Sequence, residues 1–517
     1  MARYTLTTKN HFKIKKNKSK ILHVILFLFF TIASNLQSST DKTYYSHRPQ
    51  NDNIPLEIIT KNLLLQKKPT EKLFITPFAD FSLNHSKLAS YLMFDNRTSL
   101  NVGRNTDIDN RNLKFDETSA TNLAGTIKLK PQINSYGLMI SYHQPLRPIS
   151  KDFFVKINLP FVYVRFKTGL KTINATPSSE DNKTILDYFN GEIMFQRLRP
   201  GEDTLRTLQD PLEHGKIANI AIDKTGLADI NLIFSYKTTN KKDYAFNLNG
   251  FLTVPTNSTP HAEYLFEPRI GTAGHWQIGV GFDGSIQYTN KVQLIYDLRY
   301  KYLLRANEQR ILGLKNYKNE KLKWEPYMLL GQIESPKVIP AANILAQRVA
   351  VRPQSRVEGM FMFSYNKKHL SAQLGYDFWF KQRDDISPVR SWEDNRYGFA
   401  SSSYLTDLQK IISTSTTQQL EANFALNDSS KKNTISRIYP NYSDDTSNYG
   451  TISAAQVDEA EAETPSVVSH KIFASLGYVW DEKNRSYFLS GGSAVELPQT
   501  NSRLIQLELW MKLGVIF

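Results

Sequence analysis

Four stretches carry residue types at spacings that recur in catalytic sites. Gly279-Val280-Gly281-Phe282-Asp283-Gly284 matches GxGxxG. A dinucleotide site needs that turn to open a helix whose N-terminus faces the pyrophosphate. Here Ser285-Ile286-Gln287-Tyr288 continues a two-residue alternation, so the glycines belong to a strand, where they relieve a crowded interior. Lys167-Thr168-Gly169 and Lys224-Thr225-Gly226 match KTG, and Ser364-Tyr365-Asn366-Lys367 matches SxxK. Serine acylases use both elements, with SxxK first and an SDN element between. The order is reversed here and SDN is missing, so acylation is not supported. The ten histidines form no HExxH and no paired metal spacing. With no cysteine there is no thiolate ligand and no Cys nucleophile. The expectation is a protein without cofactor or metal and without enzymatic activity.

The histidines and most other polar candidates fall at alternate positions of long apolar runs. From Lys291 to Leu304 the even positions read Val292, Leu294, Tyr296, Leu298, Tyr300 and Tyr302, while the odd ones include Lys291, Gln293, Asp297, Arg299 and Lys301. Strand side chains point alternately to opposite faces, so one face is apolar and the other mostly polar. The same holds for 275–288, 369–381 and 505–517, and more weakly for 122–131, 134–145, 153–166, 227–237, 244–254, 356–366, 469–481 and 484–496. That predicts an all-β chain: a closed antiparallel transmembrane β-barrel of about twelve strands, range 12–16, with aromatics near the strand ends. Added pairs at 73–83 with 88–94 and at 322–331 with 340–351 would account for the upper bound. Counting back from Phe517, the short connections fall on one side and the long segments 167–226, 255–272, 305–355 and 382–468 on the other, as in outer-membrane barrels. Thr184–Gly191 reads as a short helix stopped by glycine. The Asp458, Glu459, Glu461, Glu463 patch reads as part of a solvated loop. The polar faces place His275, Gln277, Asp283, Lys291, Asp297, Arg299, Lys301, Glu358, Asp377, Lys381, Glu508 and Lys512 in the lumen. Trp379, Trp510 and Ile295 are the apolar exceptions on those faces.

The chain has 517 residues, 22% charged and 40% hydrophobic, without the repeated apolar runs of about 20 residues that a helical membrane protein needs. The net charge of +15 first suggests nucleic acid. Seven of its basic residues, Arg3 to Lys20, precede the apolar run Ile21–Ile32 and small residues near Ser34, the pattern of a signal peptide. Its removal leaves 57 basic against 49 acidic residues and takes away half the support for nucleic-acid binding, so no nucleic-acid partner is expected. The organisation expected is a leader at 1–34, an N-terminal segment at 35–121 and a barrel over 122–517, placed in a bacterial outer membrane. Lipid, lipopolysaccharide and the barrel-assembly machinery are then the expected partners, beside a small-molecule solute.

Thr225-Gly226-Leu227-Ala228-Asp229-Ile230 and Leu252-Thr253-Val254-Pro255-Thr256 resemble the strand opening and hairpin return of the barrel family named for the phenol meta-degradation pathway. The matching positions are Gly226, Asp229, Pro255 and Thr256, with Ala228 where that family usually has glycine. The resemblance implies an importer of hydrophobic or aromatic compounds. The C-terminal strand also resembles the signal read by the assembly machinery, ending on Phe517. Mixed charge on the lumen face suits either a hydrated path for small solutes or an ion-pair network that blocks it. Three functions follow: a pore or transporter for small solutes, a plugged barrel displaying its long loops, or an outer-membrane hydrolase.

Overall fold

The computed structural model describes residues 41–58, 70–103, 106–108, 110, 113, 123–177, 182–198, 205–241, 243–315, 321–322, 324–332, 338–394, 396–399, 452–482, 485–500 and 504–517. The leader expected at 1–34 and the stretch 400–451 lie outside the described residues.

Twelve strands of 11 to 16 residues close into one antiparallel barrel. They are β1 (Lys72–Ser82), β2 (Gln132–Pro145), β3 (Phe153–Lys167), β4 (Ile230–Asn240), β5 (Tyr244–Val254) and β6 (Gln277–Gln287). The ring continues through β7 (Val292–Leu303), β8 (Gln354–Lys367), β9 (Leu370–Lys381), β10 (Val467–Glu482), β11 (Arg485–Thr500) and β12 (Gln506–Ile516). Every strand pairs with its neighbours in sequence, and β12 returns to β1, Lys72 opposite Ile516. Closure leaves no strand edge unpaired, which a lipid surround demands. The outward positions are apolar and exposed, among them Leu138, Val280, Leu374, Leu476 and Leu513. Outward aromatics gather at both ends: Trp480 stacks on Tyr487 at 5.9 Å near the short turns, and Tyr136 meets Phe81 at 5.7 Å and Tyr163 at 6.2 Å toward the long connections.

The strand count matches the expectation, but one strand is different. Residues 122–131 do not enter the barrel: Ala124–Lys128 pairs with Ser99–Val102 and Lys171–Thr176 in a three-stranded sheet beside it. Lys72–Ser82 takes the place instead. Alternation reports a half-buried strand and not which partner buries it. Pro77 weakened the signal for β1. Its ring removes a backbone donor, and the β1–β12 register skips Thr76 and Pro77. Of the further pairs, only 73–83 supplies a barrel strand, β1. Residues 85–92 form helix α2, 341–345 are helical, and 329–332 and 346–352 belong to smaller sheets.

The long connections all leave the end opposite the short turns and fold together as a cap. Helix α3 (Ile185–Phe189) begins where the Asp187 carboxylate accepts from the Thr184 amide at 2.5 Å and hydroxyl at 2.8 Å. It ends at Gly191, whose φ of +81° a side chain would resist. Phe189 packs on Tyr327 at 5.1 Å, Tyr327 on Trp324 at 5.0 Å, and Trp324 on Phe94 at 6.3 Å. Tyr188 donates to the Tyr327 carbonyl at 2.8 Å and Trp324 Nε1 to the Leu92 carbonyl at 3.0 Å. Three excursions far apart in sequence thus share one apolar core. The acidic patch is part of this cap and not a solvated loop. Asp458 and Glu461 are buried, Glu461 against Lys321 at 2.8 Å and Asp458 against Lys315 at 3.4 Å.

Candidate functional site

The lumen is occupied by the chain's own N-terminal segment. Residues 41–58 add no strand to the barrel, yet they touch strands all round the ring. Arg48 Nη2 reaches Asp377 on β9 at 2.6 Å and bonds Glu358 on β8, and its Nη1 lies 3.5 Å from Glu496 on β11. Asp52 accepts from Lys301 on β7 at 2.6 Å and from Arg356 on β8 at 2.9 Å. Asn53 donates to Glu508 on β12 at 2.7 Å. Glu57 pairs with Arg299 on β7 at 2.8 Å, and Lys512 on β12 donates to the Pro55 carbonyl at 2.5 Å and also binds that of Ile58. Asn231 on β4 donates to the Asn51 carbonyl at 3.0 Å. Only a segment inside the barrel can meet β4, β7, β8, β9, β11 and β12 at once.

The segment has a charged upper part and an apolar lower turn. Pro55 at the start of helix α1 (Ile54–Glu57) supplies a preset φ. Ile54 and Leu56 are fully buried in one continuous cluster with Met360, Met362, Phe473 and Trp510 of the inner wall. Inward glycines make room for these rings: a Cβ at Gly492 would collide with Trp510, and one at Gly375 with Phe473. Nearer the short turns, Phe74, Val479, Phe488 and Ile516 close a second apolar cluster. Above, Tyr44 donates to Glu308 at 2.9 Å, and Glu308 also accepts from Arg310 at 2.9 Å and meets His275 Nε2 at 2.8 Å. Arg310 continues to Asp384 at 3.0 Å, which Lys381 meets at 2.7 Å. The segment is therefore pegged to the rim, the upper wall and the lower wall.

Electrostatics favour this seating. Burial pushes the Asp52 carboxyl up, but Lys301 and Arg356 outweigh it and hold it well below the ordinary range. Burial acts against the Arg48 cation, and Asp377, Glu496 and Glu358 outweigh that in turn. His47 is half-buried. Burial, reinforced by the Arg269 charge and opposed by Glu496, pushes its pKa down to about 4. Two clefts meet at His47. One of about 540 Å³ lies toward the cap, lined by Tyr44, Tyr45, Phe166, Phe266 and Arg310. The other, about 360 Å³, lies beside Arg48, Asp80, Lys471, Glu496 and Glu508.

The residues picked out from sequence distribute unevenly. Asp297, Arg299, Lys301, Glu358, Asp377, Glu508 and Lys512 are buried on the inner wall, all but Asp297 in direct contact with the plug. Asp283 binds Asn247 at 2.9 Å and Asn249 at 2.6 Å, away from the plug, and Gln277 is buried at the start of β6. Lys381 ends β9 and joins the rim network. His275 precedes β6 and belongs to the rim, not to a strand face. Lys291 is exposed in the turn before β7, because the strand begins at Val292 and the hairpin needs residues 288–291 to reverse. Of the GxGxxG glycines, Gly279 and Gly281 face crowded backbone inside, while Gly284 sits under the outward Tyr296.

The family-like motif forms a clamp at the rim. Asp229, at φ +57°, accepts from the Thr272 amide and hydroxyl, both at 2.7 Å, and from the Thr256 amide at 3.3 Å. Gly226 and Pro255 flank it, and the Thr256 hydroxyl donates to the Leu227 carbonyl at 2.9 Å. Phe517 is exposed at the short-turn end, its amide bonded to the Glu71 carbonyl at 2.9 Å. Sequence reasoning missed the plug itself and its partners Arg356, Lys471 and Glu496. The two lysine and arginine positions shared the parity of neighbouring lumen residues, so strict alternation would have included them. Nothing periodic marked 41–58.

Neither the protein-family models nor the curated proteins contain a match to this chain. Among solved structures, an outer membrane channel from Pseudomonas putida F1 is similar over 89% of this chain and 100% of that one, at 7% identity and TM-score 0.40. A Pseudomonas aeruginosa FadL homologue matches over 93% and 98%, at 6% identity and TM-score 0.31. The Pseudomonas putida toluene transporter TodX matches over 93% and 95%, at 8% identity and TM-score 0.29. At such values the architecture rests on this chain's own strand register. A closed antiparallel ring with an apolar outer band is the form in which strands cross an outer membrane. The protein is an outer-membrane β-barrel. Its short turns face the periplasm, and its cap faces outward.

Proposed function

We propose that this protein is a non-enzymatic channel for small solutes whose lumen is closed at rest by residues 41–58. The observation that carries the reading is the seat of Arg48 and Asp52, pegged by side chains to opposed charges of the wall. A twelve-stranded ring encloses more space than the filled eight-stranded barrels. Here that space is taken up by a segment that is not part of the sheet, which fits a removable closure better than a filled core. The hydrolase reading has less support: His275 and Glu308 are buried in the rim network with Tyr44 and Arg310 as partners. Outer-membrane lipid, lipopolysaccharide and the assembly machinery remain the partners proposed, the last through the C-terminal Phe517.

A second reading, a permanently plugged barrel that displays its cap, draws on the same ion pairs. Planar-bilayer conductance separates the two. The full chain is expected to conduct poorly and in brief openings, and the Arg48→Ala, Asp52→Ala double variant to conduct steadily. A double variant that folds, by heat-modifiable migration on a gel, and stays silent would establish the permanent plug.

A further inference from the structure

Without the plug, the upper lumen wall is built from like charges set side by side. Lys301 lies directly across from Arg356 in the β7–β8 register, and Arg356 across from Lys381 on β9. All three point inward and are buried. Like charges directly opposite on adjacent strands destabilise a sheet. One position deeper, Glu358 and Asp377 converge with Glu496 on a single point. Asp384 serves Lys381 at 2.7 Å, and Lys471 lies 3.5 Å from Glu496. Lys301 and Arg356 are met by Asp52, and Glu358 and Asp377 by Arg48.

The wall thus presents a cationic patch and a carboxylate patch, adjacent along β8 because Arg356 and Glu358 are two residues apart on one face. Repeats of that kind lie about 7 Å apart. The plug meets them with one guanidinium and one carboxylate four residues apart. It does not exhaust them: Glu358 Oε2, Asp377 Oδ1 and Trp379 Nε1 are buried with no protein partner among the described residues. Trp379 also lies under the guanidinium, 5.9 Å from its carbon. Burial of an uncompensated charge is costly, so whatever leaves this site must be replaced by matching charge.

We propose that these two patches are a solute-binding constriction for a molecule that carries a planar, guanidinium-type cation at one end and a carboxylate at the other, and that Arg48 and Asp52 occupy it as an internal stand-in. The proposal rests on the channel reading and narrows its solute class. A planar cation suits the carboxylate patch best, because a fork of donors can serve both Glu358 and Asp377 while its face lies on Trp379. Neutral aromatic compounds offer neither charge and would leave both patches unpaired.

The test uses the full chain in planar bilayers, with L-arginine as probe and L-citrulline and glucose as controls. Citrulline keeps the shape and the zwitterionic amino-acid end but replaces the planar guanidinium with a neutral urea. In the Arg48→Ala, Asp52→Ala double variant, arginine is expected to block the ion current at concentrations at least about tenfold below those of citrulline or glucose. Adding Glu358→Gln and Asp377→Asn should abolish that preference. In the unaltered chain, arginine competes with the plug and should raise the mean current where citrulline does not, a readout that needs no variant to fold. Equal effects of arginine and citrulline in a conducting channel would overturn the proposal and leave the channel reading standing. Absence of conductance in every form would remove the channel reading and this proposal with it.

Discussion

The plug seat and the cap are held by opposite means. The plug is fixed chiefly by Arg48, Asp52 and Glu57, each paired with charges of the wall, while α1 and Tyr45 add apolar burial. The cap is fixed by rings: Phe94, Phe189, Trp324 and Tyr327 interlock, and the polar atoms of Trp324 and Tyr188 are spent on backbone carbonyls. The difference teaches where the molecule can change. Apolar packing is lost in proportion to volume removed and has no alternative partner to exchange with. Charge pairs can be exchanged for others of the same kind, provided no charge is left bare. A gate is therefore expected at the plug and a lid frame at the cap.

The largest expected effect is at Arg48. Arg48→Ala strands Glu358 and Asp377 in a dry site, a cost of about 3–5 kcal/mol for breaking a buried pair. The outcome expected is a large rise in conductance and new protease sensitivity near residue 48. If neutralising the wall as well, with Glu358→Gln and Asp377→Asn, does not reseat the segment, charge is not what holds it. Next comes Trp324→Ala, which empties the centre of the cap at a cost of about 4 kcal/mol. Amide exchange should rise at Tyr327 and Leu92, whereas conductance should stay low because the plug remains seated. A matching rise in conductance would show that cap and plug act as one gate.

Opposite pH dependence sharpens the comparison. Burial pushes the Glu325 carboxyl in the cap up to about 7, despite a hydrogen bond with Glu461, whose own carboxyl is also raised. A carboxyl raised on folding contributes its full stability below its unfolded value and loses it as pH rises toward 7. This is on the order of 3 kcal/mol and is removed by Glu325→Gln. Melting of the cap followed from pH 4 to 8 checks this. His47 in the plug has the reverse sign. With its pKa lowered to about 4, its contribution is complete above about 6.5 and is lost as pH falls toward 4. Acid should therefore raise conductance, and His47→Gln should flatten that response. The smallest effect concerns the half-exposed Arg97–Asp107 pair of the cap, worth under about 1 kcal/mol. Arg97→Ala should leave both conductance and melting nearly unchanged.

Some of this was legible before the structure. The inward set Asp297, Arg299, Lys301 and the outward set Leu298, Tyr300, Tyr302 separate in the sequence because burial alternates along β7 from Ile295 onward. The same rule misplaced 122–131, whose buried Leu123, Ile127 and Leu129 face a cap and not a lumen. It also undervalued β1, interrupted by Pro77. The inward aromatics Phe74, Phe78, Phe473 and Phe488 stood at lumen parity, yet a lumen expected to be wet gave no reason to weigh them.

The sequence by itself determined the material of the wall: long strands with one apolar face, short turns on one side, and an apolar band that has to meet lipid. That information is local, carried by a period of two within each strand. What fills the ring was decided only by the tertiary structure. Arg48 meets Asp377 across 329 residues and Asp52 meets Arg356 across 304. Such contacts leave no periodic trace. They exist because closure of twelve strands turns scattered polar positions into facing patches around a segment with no pattern of its own.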